Sequence, residues 1–65
     1  MKVEVFEHRE HSSLRAEVSG KLYIHVCIIN ERDSELASIP FETREEALLF
    51  LRVGGFTFER IENQD

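Results

Sequence analysis

The sequence predicts a small α+β domain, a single mostly antiparallel sheet packed on one helix, with elements in the order β-β-β-β-α-β. Three observations carry that prediction. Apolar and polar residues alternate through much of the first forty positions, the period expected of half-buried strands. The segment Thr43 to Val53 has a capping residue at its start, and the pair Gly54-Gly55 at its end. A last apolar-rich run, Phe56 to Ile61, follows those glycines. The 65 residues, 42% of them apolar, are read as one domain spanning 1–65 with one core.

Val3 and Val5 alternate with Lys2, Glu4 and Phe6, which predicts a first strand from Lys2 to about Glu7. The polar stretch His8-Arg9-Glu10-His11-Ser12-Ser13 breaks the pattern and is read as a loop. Leu14, Ala16 and Val18 alternate with Arg15 and Glu17, giving a second strand with one core face and one wet face. Ser19-Gly20 is expected to turn tightly into the longest apolar stretch, Lys21 to Ile29. This is read as the central strand. Leu22, Ile24, Val26 and Ile28 fall on one face; Tyr23, His25, Cys27 and Ile29 fall on the other. One helix covers one face only, so the other is expected to form an interface or a ligand groove: Tyr23, His25, Cys27 and Ile29 are the candidates if the helix takes the aliphatic face, and the four aliphatic residues if it takes the opposite one.

Asn30 to Glu35 is a charged connector, and residues 36–40 resume the alternation as a fourth strand. Pro40 lacks an amide donor and belongs at an edge or a strand end. In the helix, Thr43 and Glu46 form a Thr-x-x-Glu capping box, and Glu45 and Glu46 lie at the positive end of the helix dipole. Ala47, Phe50 and Leu51 are expected on the core stripe, flanked by Leu48 and Val53, with Arg44, Glu45 and Arg52 nearer solvent. The last strand is read from Phe56 to about Ile61. Its register is ambiguous because Ile61 has the opposite parity to Phe56 and Phe58. Glu62 to Asp65 is expected to fray.

The formal charge of −5 is spread along the chain, with five basic and seven acidic side chains in residues 1–35 and three and six in the remainder. A diffuse acidic surface repels a nucleic-acid backbone, whose binders carry concentrated basic stripes. A nucleic-acid-binding protein using its exposed sheet face is therefore an alternative with few contributors: Arg15, Lys21, Tyr23 and His25, with Glu17 on the same wet face. No apolar run approaches the eighteen or so residues that span a bilayer, so no membrane partner is expected. Met1-Lys2-Val3-Glu4 lacks the apolar segment of a secretory signal, and the expected setting is cytoplasmic.

Little in the chain points to catalysis, and the protein is read as a non-enzyme without a cofactor. His25 and Cys27 share a strand face, but residues two apart lie roughly 6.5–7 Å from each other, beyond direct proton transfer. The single cysteine excludes an internal disulfide. Gly54-Gly55 follows a helix, whereas a phosphate cradle precedes one. His8 and His11, with Glu10 between them, form the one local cluster that offers a second alternative, a metal-binding or pH-responsive loop. The functional expectation is a non-catalytic interaction or regulatory module, homodimeric or bound to a protein partner through an uncovered sheet face or edge.

Overall fold

A computed structural model describes residues 1–64. Its elements are β1 (Lys2–His8), β2 (Arg15–Ser19), β3 (Ile24–Ile29), β4 (Glu35–Phe41), α1 (Arg44–Val53) and β5 (Phe56–Asn63). The five strands form one antiparallel sheet in the order β4-β3-β2-β1-β5, with α1 across one side. The predicted α+β architecture is the observed one. The first four strands form a meander, and α1 carries the chain back over the sheet so that β5 pairs beside β1.

The side facing the helix is set by the register. Phe6 pairs with Ala16 and Ala16 with Ile28, while Val18 pairs with Val26 and Val26 with Ile39. Alternate residues share a face, so these side chains point to the same side. There they close on Ala47 and Leu51 of α1, with Ile24, Ile28, Phe41, Leu48 and Phe56 packed around them. Complete burial of Leu51 stabilises the fold by about 2 kcal/mol on area grounds. Arg44, at the start of α1, also reaches down to the Glu4 carboxylate, which ties the helix to the middle of β1.

The helix begins as its sequence predicts. Thr43 has extended backbone and accepts the Glu46 N–H at 3.2 Å, while its hydroxyl donates to Glu46 Oε1 at 3.1 Å. At the other end Gly54 remains near helical geometry, and Gly55, at φ 90°, makes the left-handed exit. A side chain on Gly55 would also meet the ring of His8, whose Nε2 lies 3.0 Å from where its Cβ would be.

Four expectations need correction. The third strand begins at Ile24 rather than Lys21: residues 20–23 form a wider loop in which Gly20, at φ 115°, lies close to the Tyr23 carbonyl. Leu22 is consequently 91% exposed instead of facing the helix, and Tyr23 precedes the sheet. The fourth strand extends through Glu35 and Phe41, because Asn30 closes the connector into a short turn. Its side-chain oxygen accepts the N–H groups of Arg32 and Ser34, and Asp33 adopts φ 60°.

The C-terminal segment does not fray at Glu62. β5 pairs with β1 as far as Asn63, and Met1 and Gln64 exchange main-chain hydrogen bonds beyond it. Asp65 lies outside the described residues. On α1, Ala47 and Leu51 are buried with Leu48 beside them, as the expected core stripe requires, but Phe50 and Val53 face solvent.

The parity conflict in β5 resolves into a bulge. Val5 pairs with Arg60, but the adjacent Phe6 pairs with Phe58, leaving Glu59 as the extra residue. Insertion of one residue returns Ile61 to the face shared by Phe56 and Phe58. It also puts Arg60 and Glu62 on the side away from the helix.

Candidate association surface

The two sides of the molecule differ in how their apolar residues are covered. On α1, Ala47, Leu48 and Leu51 point inward, whereas Leu49, Phe50 and Val53 point outward and are 56%, 39% and 80% exposed. Positions 46, 49, 50 and 53 follow the i, i+3, i+4, i+7 spacing of a second stripe along a helix. Phe41 extends this stripe onto β4, its ring 5.4 Å from that of Phe50 at an interplanar angle of 47°. Phe41, Glu46, Leu49, Phe50, Val53 and Gly54 line a shallow depression of about 440 Å³. A core-facing helix needs an apolar stripe of about 100°, which Ala47, Leu48 and Leu51 supply, so this additional apolar stripe lies outside the core contact.

On the side away from the helix, Val5 is completely buried and Val3 nearly so. Among the described residues, no secondary-structure element lies over them. Their cross-strand neighbours on that face are Glu17 and Arg60 for Val5 and Glu62 for Val3, so the cover comes from long polar side chains lying across the sheet. Ion pairs hold these arms in place. Arg15 bridges Glu17 and Asp33, and Arg60 bridges Glu59 and Glu62. The guanidinium groups of Arg15 and Arg60 are held above their ordinary range, chiefly by hydrogen bonds to Asp33 and Glu62 respectively. Both stay charged throughout the useful pH range.

The four sequence-predicted interface residues occupy only part of that side. His25, Cys27 and Ile29 follow one another along one face of β3; His25 is exposed and the other two are half-buried. Tyr23 is separated from them in the loop before the strand, with its side chain in solvent. Burial pushes the Cys27 thiol up, and a hydrogen bond involving Glu35 adds to this, while Ser38 opposes it. The sulfur is therefore held as a thiol at neutral pH, without the lowered pKa that marks a nucleophile.

His8 and His11 are brought together, with ring centroids 4.8 Å apart. His8 has a local structural task there. Its Nδ1 accepts the N–H groups of Glu10 and His11, each at 3.1 Å, and its ring meets Phe56 edge-on at 5.0 Å. Arg9 N–H also bonds the Gly55 carbonyl at 2.9 Å, so this loop is fastened to the turn after α1. The use of Nδ1 as a double acceptor leaves only Nε2 of His8 for any ligand. Among the described residues, no three of His, Cys, Asp or Glu are placed to share one metal ion.

Both sheet edges are blunted against strand addition. Pro40 removes an amide donor from β4, and the Glu59 bulge and charged side chains interrupt β5. Helical periodicity read from sequence puts Phe50 on the core stripe and Val53 on its flank, which hides the exposed stripe. The run Ala47-Leu48-Leu49-Phe50-Leu51 carries the signal, since five consecutive apolar residues cannot all lie on one face of a helix. Among the described residues, no helix is long and apolar enough to cross a membrane. Comparisons of the chain with protein-family models, curated protein sequences and solved structures find no match.

Proposed function

We propose that this protein is a non-catalytic association module that docks through the outer face of α1 and the adjoining Phe41. The observation supporting this reading is the exposed Leu49-Phe50-Val53 stripe on the only helix among the described residues. A flat or shallow surface with aromatic and aliphatic anchors suits a helix or another apolar surface better than a small polar substrate. The charged cover over Val3 and Val5 supports the same choice of side, since removal of those ion pairs from water carries a desolvation cost.

Photo-crosslinking in the native cell tests this assignment. A photoreactive residue replacing Val53 is expected to yield discrete adducts that the same probe at His25, on the opposite side, does not. Equal labelling from both positions, or adducts from His25 alone, would count against the helix face.

A further inference from the structure

We infer that the occupant of this helix face is a second copy of the chain, packed with its α1 antiparallel to the first about a two-fold axis near Leu49. This rests on the reading of the outer face of α1 as a docking surface, and the charge pattern along the helix supplies the partner. Glu45 and Glu46 lie in the first turn and Arg52 in the last. Glu45 and Arg52 are seven residues apart, which places them on the same flank within about 20° and roughly 10 Å apart along the axis.

A two-fold axis reverses the helix direction, so each Arg52 comes level with the acidic first turn of the other copy. The stripe of Leu49, Phe50 and Val53 then meets itself, as an isologous contact requires. Among the described residues, neither Glu45 nor Arg52 has an ion-pair partner within the chain, which leaves both charges open to one from outside; Arg9 and Arg32 are the other arginines in no ion pair. The opposed helix dipoles favour the same antiparallel arrangement.

Net charge selects this face over other meetings of identical molecules. α1 contains two arginines and two glutamates and is neutral, so the −5 of the chain lies wholly outside it. Two acidic copies meet with least repulsion helix to helix. A parallel arrangement would instead put Glu45 and Glu46 beside their own counterparts.

Sedimentation equilibrium across a concentration series tests the inference on the full chain. The unmodified protein is expected to approach twice its monomer mass, and Leu49→Glu to weaken association by on the order of a hundredfold or more, because the change occurs twice in each dimer. Circular dichroism checks that the variant retains its fold. If Leu49→Glu unfolds, Leu49→Gln with Val53→Gln carries the same test with good helix formers. Arg52→Glu alone should weaken the dimer about five- to tenfold, and Glu45→Arg combined with Arg52→Glu should restore it to within about threefold.

A chain that stays monomeric to about 1 mM overturns the inference, as does a dimer indifferent to the Leu49 change or a double charge reversal that fails to restore association. A monomer whose Val53 probe still captures a different protein in cells would remove self-association while leaving the docking surface standing. Absence of both dimer and Val53 adducts would remove both.

Discussion

Glu7 and Glu59 meet on the side of the sheet away from the helix, where the hydrogen bond between them is the main influence holding the Glu7 carboxyl above its ordinary value of 4.5. Burial and repulsion from Glu59 act in the same direction, and Arg60 opposes them. For a carboxyl raised in this way, the favourable contribution to folding is fully present below the unfolded pKa and disappears as pH rises through the folded one. At neutral pH the two carboxylates repel, so Glu7→Gln is expected to raise the denaturation midpoint near pH 7 and to leave it almost unchanged near pH 3. Denaturant titrations at the two pH values check this, and a variant less stable than its parent at neutral pH would contradict it. The pairing of Glu7 with Glu59 was not legible in sequence because it depends on the β5 bulge. His8 and His11, by contrast, are visible as a cluster, but Nδ1 acceptance from two main-chain groups depends on how the loop closes.

At the scale of elements, α1 shows how local signals can place a helix correctly and still leave its orientation open. Thr43, Glu46 and the following glycines specify where it begins and ends, and its observed limits agree. Thr43→Ala removes both hydrogen bonds of the cap and is expected to lower stability by about 1 kcal/mol, measured by urea unfolding; no change in midpoint would contradict the capping role. The identity of the inward stripe was less legible, because Leu48 to Leu51 offer an apolar residue in every direction. Contact with the cluster of Phe6, Ala16, Val18 and Val26 singles out Ala47 and Leu51 as the covered pair. The third strand was overextended for a related reason: Leu22 and Tyr23 continue its apolar alternation, but Gly20 opens a four-residue loop that takes them off the sheet. Parity in β5 was the most informative irregularity, since the conflict between Phe58 and Ile61 marks the inserted Glu59.

Across the whole molecule, the sheet solves on one side the problem that α1 leaves on the other. Paired arginines and glutamates shelter Val3 and Val5 without a second layer, so one helix suffices to complete the fold. The helix, neutral and apolar on its outer face, is then the region where an otherwise acidic surface permits close approach. This distribution was partly legible: composition and charge exclude an extensive basic surface, and the single-helix architecture implies one uncovered side. The sequence-based expectation assigned the interface to the sheet because strand alternation does not reveal that long charged side chains will fold across it. Relaxation of amide and methyl signals by a soluble paramagnetic agent, recorded across a concentration series, distinguishes docking through the helix from docking through the sheet. Association through α1 is expected to shield Leu49, Phe50 and Val53 while His25 and Ser38 remain accessible; shielding of His25 and Ser38 with Leu49 and Val53 still open to the agent would contradict docking through the helix.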